Sequence, residues 1–407
     1  MRSLYLKVSS RVYNYSVTTT TQTSKKYSFA SSPEKRSTSE LKSIQEYIPS
    51  AENFGSGMVF RKVIDMMMGC LGMSNRPTLP SPSETNESPE VDLLPAIKSP
   101  RIRLSDGRYL AYREVGVPKD QSNYRIIIVH GFGSSKEMNF LAPEEMLTAL
   151  GIYILLYDRA GYGESDPNPR RSVKSEATDI EELADQLELG TKFYVMGVSL
   201  GCYPVWSCLK RLPHRLAGAA LIVPMINYKW RTLPKDLVKD DYRKNLSKWI
   251  IWLCRHTPGL LHWWLTQKVF PSANVLDKNP AFFNSKDLES LGNTPGYQLF
   301  TQNGFQQRQV FDSIRRDCIV AFGKWDFEPM ELTNPYPENE TSVHIWQGFE
   351  DKVVPVKLQR YVSERLPWIR YHEVPGGGHM LVYDSAVCEA ILRSLLLGED
   401  PPQYRPN

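Results

Sequence analysis

Short apolar runs alternate with longer mixed segments through the middle of the chain. Four of these runs contain no charged residue and have the length of strands: 126–129, 152–157, 193–198 and 217–223. Unbroken apolar runs are typical of strands buried on both faces, whereas strands with one solvated face alternate apolar and polar residues. Segments of helical length separate the runs. This alternation predicts an α/β fold with a doubly wound, mostly parallel sheet.

A hairpin precedes this pattern, and the pattern resumes later in the chain. Residues 101–104 alternate apolar and polar side chains, Asp106 and Gly107 supply a turn, and residues 109–115 continue as a second strand. Three later apolar segments complete the pattern, two as predicted strands and the last as a predicted helix: 343–346, 369–374 and 385–397.

Residues 225–336 interrupt this rhythm, because they favour helix and are unusually aromatic. Tryptophan recurs along the first part of the segment, at Trp230, Trp249, Trp252, Trp263 and Trp264. We interpret the segment as a helical cap inserted into an α/β core of residues 96–224 and 337–398, with a tail at 399–407. The aromatic side chains fit three roles: an apolar roof over a pocket for acyl substrates, packing of the cap on the core, or peripheral contact with a membrane.

Residues 1–95 have a different composition and are expected to be mostly disordered, and from residue 31 to about residue 95 they are rich in Ser, Pro, Glu and Asn. Residues 1–33 contain five Lys or Arg residues and no Asp or Glu, which resembles an organellar transit peptide. A disordered tail without a function is the alternative. A transit peptide would place the protein in a chloroplast or mitochondrion, and otherwise we expect it in the cytoplasm.

Composition excludes several other classes of protein. The 407 residues are 41% apolar and 23% charged with a net charge of +4, which suits a globular enzyme and does not provide a basic groove for nucleic acid. The six cysteines lack CxxC spacing, and no uncharged apolar run reaches the roughly 20 residues of a membrane-spanning helix. HExxH, GxGxxG and Walker A motifs are absent from the sequence, so we expect no metal and no cofactor.

Ser199 has the setting of a nucleophile. It lies in the sequence GVSLG, directly behind the apolar run 193–198 and ahead of a helical segment. Gly197 and Gly201 allow a tight turn without clashes of Cβ atoms, so that the hydroxyl projects from a strained strand-to-helix elbow.

A serine nucleophile needs an imidazole to take its proton and a carboxylate to orient the imidazole. On a sheet of this type, the acid and then the histidine follow the serine, each on a loop at the same edge. Asp351 follows the predicted strand 343–346, and His379 follows the strand 369–374 and three glycines. Glu350 beside Asp351, and Asp326 further upstream, are the alternative acids.

The other candidate histidines have less suitable positions. His344 and His372 fall inside predicted strands, and His256 and His262 fall in the predicted cap. His379 is therefore the predicted general base.

Acyl transfer also requires donors for the developing oxyanion, normally two backbone N–H groups. The sequence His130–Gly133 (HGFG) directly follows the strand 126–129. We expect the amides of Phe132 and Leu200 to form the oxyanion hole, while an ordinary glycine-rich turn is the alternative.

These motifs, together with the turn 158–165 (DRAGYGES), resemble the α/β-hydrolase superfamily over about residues 96–398, and the surrounding sequence is similar to a plant branch of it. The resemblance implies a mostly parallel eight-stranded sheet with a helical cap between the sixth and seventh strands. It also implies Ser199 as nucleophile, His379 as base and Asp351 as acid.

Serine at the elbow favours a particular reaction class. Epoxide hydrolases and haloalkane dehalogenases of this superfamily carry an aspartate there, whereas a serine suits esters, thioesters, lactones or amides through an acyl-enzyme. We therefore expect a carboxylesterase or lipase-like enzyme acting on a small, apolar acyl substrate. The alternative is a ligand-binding or receptor protein with slow or no turnover; acyl transfer to an alcohol, or a lyase reaction, is less favoured.

Overall fold

The computed structural model describes residues 99–266, 283–293, 308–338 and 341–399. All of them belong to the second of the two units into which the chain divides, Asp92–Asn407. The predicted transit peptide, the whole N-terminal region 1–95, and the tail beyond residue 399 lie outside the described residues.

The described residues contain one eight-stranded sheet with the strand order β1-β2-β4-β3-β5-β6-β7-β8. Strand β2 pairs antiparallel with β1 and β4, and all the other neighbours are parallel. The strands are β1 Arg101–Arg103, β2 Tyr109–Gly116, β3 Tyr124–Val129, β4 Ile152–Tyr157, β5 Phe193–Val198, β6 Leu216–Ile222, β7 Ser342–Gly348 and β8 Arg370–Val374. The predicted fold class and opening hairpin are confirmed.

Helices cover both faces of this sheet. Alternate side chains of one strand enter different cores: Ile127 of β3 packs in the core with Ile180 and Trp206, and Ile126 packs with Met146 and Ile391. This double burial explains why the strands are unbroken apolar runs. The helices of the two cores are α1 Glu144–Leu150, α2 Val173–Gln186, α3 Cys202–Arg211, α9 Val356–Arg365 and α10 Ser385–Leu397.

The described regular elements between β6 and β7 are helical. They are α4 Lys235–Val238, α5 Tyr242–His256, α6 Pro258–Thr266, α7 Ser285–Asn293, α8 Arg308–Ala321 and a 3₁₀ turn, Pro329–Glu331. All lie in the range predicted as a cap, 225–336, and the bounds of that cap stay a prediction. Among the described helices, none is long and apolar enough to cross a bilayer.

Capping residues at both ends of α10 explain why this helix begins and ends at the predicted residues. The Asp384 carboxylate accepts hydrogen bonds from the amides of Ala386 and Val387, which satisfies donors that the first turn leaves free. Gly398 then ends the helix with φ +71°, a left-handed conformation that suits glycine. The apolar run between them is the predicted helix 385–397.

Candidate active site

Ser199 lies at a sharp turn between β5 and α3. Its backbone has φ +53°, which is the left-handed region and costs energy for a residue with a side chain. A Cβ atom on Gly201 would lie 2.2 Å from the carbonyl oxygen of Val129, and one on Gly197 would lie 2.6 Å from that of Gly201. Both glycines are therefore required by backbone that passes close to the elbow.

The structure brings Ser199, His379 and Asp351 into one chain of hydrogen bonds. His379 Nε2 lies 2.9 Å from Ser199 Oγ, and His379 Nδ1 lies 2.8 Å from Asp351 Oδ2. Because a carboxylate only accepts, Nδ1 carries the proton and Nε2 is left to accept from the serine hydroxyl. This is the arrangement in which an imidazole can take the serine proton.

Asp351 is held in place by its own loop. Its Oδ1 accepts hydrogen bonds from the amides of Val353 (2.8 Å) and Val354 (2.9 Å), and its Oδ2 accepts one from Gln347 Nε2 (3.1 Å). The carboxylate is thus oriented from both sides before it meets His379. Gln347, the penultimate residue of β7, is a contributor that the sequence analysis did not identify.

The alternative acids lie elsewhere. Glu350 is exposed, and its nearest polar partner among the described residues is Asn284 Nδ2 at 3.3 Å. Asp326 is also exposed and forms an ion pair with Arg211 at the surface. Neither carboxylate contacts His379.

The other histidines also make contacts away from Ser199. His344 Nδ1 and His372 Nε2 lie 3.0 Å apart in a buried pair across β7 and β8, and burial, His372 and Arg370 lower the pKa of His344 to about 3. His256 Nδ1 bonds to the carbonyl of Trp252 within α5. His262 packs edge-on against Phe311.

The HGFG loop passes directly against the elbow. A Cβ atom on Gly131 would lie 3.1 Å from the Val198 carbonyl oxygen and 3.4 Å from Ser199 Cβ, so a side chain there would crowd the serine. Phe132 and Leu200, whose amides are the predicted oxyanion donors, lie on the two segments that meet at this point. Their role stays a prediction.

His130 anchors this loop to the turn after β4. Its Nε2 accepts a hydrogen bond from the Arg159 amide (3.0 Å), so Nδ1 is protonated and donates to the Gly131 carbonyl (2.8 Å). Burial, followed by repulsion from Arg159, lowers the pKa of His130 well below its usual value. The ring is therefore a neutral structural link.

The turn 158–165 is built around two buried charges. Asp158 accepts hydrogen bonds from Lys136 Nζ (3.0 Å) and from the Lys136 and Glu164 amides. Arg159 is fully buried and pairs bidentately with Asp317 of α8, at 2.9 and 2.7 Å. This buried ion pair joins the core to a helix between β6 and β7.

Asp317 is the centre of a larger polar network. Its carboxylate also accepts hydrogen bonds from Tyr162 Oη (2.6 Å) and Tyr203 Oη (2.7 Å), and Arg171 lies 3.3 Å away. Although burial alone would raise the pKa of Asp317, the two arginines lower it below its ordinary range. No sequence motif marks this residue.

Asp287 of α7 is a second carboxylate at the histidine loop. Its Oδ2 accepts a hydrogen bond from the His379 amide (3.0 Å) and its Oδ1 accepts one from the Met380 amide (2.8 Å). A Cβ atom on Gly378 would lie 2.1 Å from Asp287 Oδ2, so only glycine allows this approach. The three glycines before His379 indicate a tight loop, but nothing in the sequence identifies Asp287 as the residue that binds the amides of this loop.

Both carboxylates act on the proton affinity of His379. Burial lowers the pKa of the imidazole, but the charge of Asp351, its hydrogen bond and the charge of Asp287 outweigh burial and raise the pKa.

In the part of the chain that the structure describes, no group of three or more His, Cys, Asp or Glu side chains is arranged to hold a metal ion.

Comparisons with known proteins identify the family of this fold. A family model of the α/β-hydrolase fold matches residues 124–386. The chain is 23% identical over 288 residues to "Probable lysophospholipase BODYGUARD 1" of Arabidopsis thaliana, covering 69% of this chain and 60% of the relative. It is 28% identical over 261 residues to 2-hydroxy-6-oxononadienedioate/2-hydroxy-6-oxononatrienedioate hydrolase 2 of Pseudomonas putida, covering 59% and 85%.

A solved structure shares the fold. The α/β hydrolase enzyme MGS-M2, from a Medee basin deep-sea metagenome library, has a TM-score of 0.51 and 16% identity, over 74% of this chain and 98% of that one. The chain spans about three fifths of the length of the Arabidopsis relatives that it matches.

Proposed function

Because this chain belongs to the α/β-hydrolase fold family, we propose that it hydrolyses carboxylic esters, thioesters or lactones through an acyl-enzyme on Ser199. One observation carries the proposal: the unbroken chain of hydrogen bonds Asp351–His379–Ser199 at a strained elbow. A buried, oriented imidazole within 2.9 Å of a serine hydroxyl is the requirement for activating that hydroxyl.

The reaction follows from the roles of these groups. Ser199 Oγ attacks the acyl carbon while His379 Nε2 takes the hydroxyl proton, and Asp351 stabilises the resulting imidazolium. The Phe132 and Leu200 amides bind the oxyanion that forms. His379 then gives the proton to the leaving alcohol or thiol. Water repeats the sequence on the acyl-enzyme, with His379 as base, and releases the acid.

We propose that the substrate carries an apolar acyl group. The support is the aromatic composition of residues 225–336 and the name of the Arabidopsis relative, a lysophospholipase. The test compares kcat/KM for nitrophenyl acetate and nitrophenyl octanoate. We expect the octanoate to be preferred, and a preference confined to the acetate would contradict an apolar acyl pocket.

A fluorophosphonate probe tests the nucleophile directly. We expect the full-length protein to be labelled, and the labelled peptide to contain Ser199, because the probe reacts with serines that have an activated hydroxyl. Heat-unfolded protein is the matched control, since it keeps every serine and loses the geometry. A label on another serine would overturn the assignment, and a folded protein that takes no label would overturn the acyl-enzyme proposal.

Replacing Asp287 with asparagine should shift the pH profile of kcat/KM. The general base must be neutral, and Asp287 helps to raise the pKa of His379, so the wild-type activity falls on acidification at a pH above the ordinary histidine value of about 6.5. Loss of the carboxylate charge lowers that pKa, and the acid limb should move to lower pH.

Glu350→Gln is the matched control for this experiment. It removes an exposed carboxylate from the loop that carries Asp351 without touching His379. Its acid limb should coincide with that of the wild type. An unshifted limb in Asp287→Asn would show that Asp287 holds the loop without tuning the base.

A further inference from the structure

Large apolar side chains are exposed on two consecutive helices. Of the eight exposed large hydrophobic residues in the described part of the chain, five lie on α5 and α6, and they are between 38% and 51% exposed. These residues form what we call the α5–α6 face: Tyr242, Leu246, Trp252, Leu260 and Trp263. Surface hydrophobic residues scattered singly are ordinary, but a concentration of this kind marks an interaction surface.

Helix α5 has an apolar side towards the protein and a second one towards solvent. Ser247, Ile251 and Cys254 form its buried stripe, and Arg315 of α8 donates to the Cys254 carbonyl at 2.8 Å on that side. Trp252 lies on the opposite side, with the His256 ring stacked on it at 5.2 Å. A helix at a water-facing surface normally has a polar outer face, so packing among the described residues does not account for this one.

Within α5 and α6 the charges have one sign, whereas Asp240 and Asp241 directly precede α5 and Asp241 pairs with Arg243 at 3.1 Å. Residues 242–266 contain four cations, Arg243, Lys244, Lys248 and Arg255, and no Asp or Glu. Lys248 and Arg255 are exposed. Lys229 lies within electrostatic range of Arg255, because burial and then repulsion from Arg255 lower the pKa of Lys229. Aromatic side chains with Lys and Arg, and without acids, are the composition of helices that bind anionic membrane surfaces.

The inner side of α6 packs near the candidate active site. Leu261 packs in an apolar cluster with Tyr162, Phe311 and Ile314, and Phe132 of the HGFG loop packs against the same cluster. At the other end of the face, Arg243 donates to the carbonyl of Lys352, which follows Asp351. Through Leu261 and Arg243, helices α6 and α5 therefore reach two of the three loops around Ser199, the HGFG loop and the loop of Asp351.

We propose that the α5–α6 face docks on a lipid bilayer with anionic headgroups. Trp252, Leu260 and Trp263 enter the interface between headgroups and acyl chains, where aromatic rings are favoured. Lys248 and Arg255 lie at the level of the phosphates. The binding uses no part of the catalytic triad, so it goes beyond ester hydrolysis and does not depend on it.

Sedimentation of the full-length protein with vesicles tests the docking. We compare vesicles of phosphatidylcholine with vesicles of phosphatidylcholine and phosphatidylglycerol. We expect binding to the anionic vesicles, and weaker binding as salt is added. Leu260→Glu should reduce the bound fraction at limiting lipid about tenfold, because it places a charge at the bilayer interface. Leu397→Glu is the matched control: both leucines are 38% exposed, and Leu397 lies at the end of α10.

A second variant protects the test against loss of folding. Lys248→Glu with Arg255→Glu changes only exposed charges, and should abolish the preference for anionic vesicles while the melting temperature stays close to that of the wild type. Residues 1–33, which are also basic, are unchanged in every variant, so the differences report the α5–α6 face. Ser199→Ala should bind as the wild type does, which separates docking from catalysis.

Two results would overturn the proposal. One is equal vesicle binding by the wild type, Leu260→Glu and the double charge variant. The other is a dimer that forms without lipid and dissociates in Leu260→Glu, which would assign the face to a second copy of the chain.

Discussion

Replacement of Ser199 with alanine is expected to lower kcat for ester hydrolysis by about 10⁴- to 10⁶-fold, which leaves only the residual catalysis that binding and the oxyanion donors support. The reason is that alanine removes the hydroxyl that lies 2.9 Å from His379 Nε2. The measurement is kcat for nitrophenyl octanoate with purified protein.

His379→Ala should have an effect of the same order, because the hydroxyl is inert without a base. The double variant Ser199→Ala/His379→Ala should be no slower than either single variant, since the two groups act as a unit. Ser135→Ala is the matched control, because Ser135 lies on the loop beyond Gly133 and is not part of the hydrogen-bond chain. If the fold-loss of kcat in the double variant equalled the product of the two single losses, Ser199 and His379 would not act as a unit.

Replacement of Asp317 with alanine is expected to lower the free energy of unfolding by about 3–5 kcal/mol, the usual cost of leaving a buried charge without its partner. Arg159 and Asp317 are both fully buried, and Arg171 faces the same carboxylate, so Glu176 alone would remain to balance two guanidinium groups. Urea unfolding measures the change.

Asp326→Ala is the matched control for this variant. It removes a carboxylate of similar position in the chain that pairs with Arg211 at the surface, and should cost less than about 1 kcal/mol. Equal losses from both variants would show that the buried network adds no stability.

The contribution of Asp317 to the free energy of unfolding depends on pH with a defined sign. Because the pKa of Asp317 is lowered in the folded state, this contribution is complete above about pH 4 and is lost as the pH falls further.

The sequence was most informative where one local pattern determines the structure. The runs 152–157 and 193–198 coincide with β4 and β5, because both faces of a central strand are buried and polar residues mark its ends. Strand β3 begins two residues before the predicted run, at Tyr124, since pairing with β4 continues past the apolar residues. Glycine spacing and order along the chain predict Ser199, Asp351 and His379 as the triad, and the structure joins these three side chains by hydrogen bonds.

Residues whose contribution depends on distant contacts were not predictable in this way. Asp287 and Asp317 lie on helices whose sequences carry no motif, and each is defined by a partner 92 or 158 residues away. Gln347 looks like an ordinary strand residue until the fold turns its amide towards Asp351. Their contributions arise from the packing of elements that are remote in the chain.

The contact between α7 and the histidine loop links the chemistry of the triad to the position of a helix. The carboxylate of Asp287 fills the space that a side chain on residue 378 would need, and holds two successive amides of the loop. If α7 moved by one helical turn, about 5.4 Å, the loop would lose both hydrogen bonds and His379 would become a weaker base. The position of α7 and the proton affinity of His379 are thus coupled through the carboxylate of Asp287.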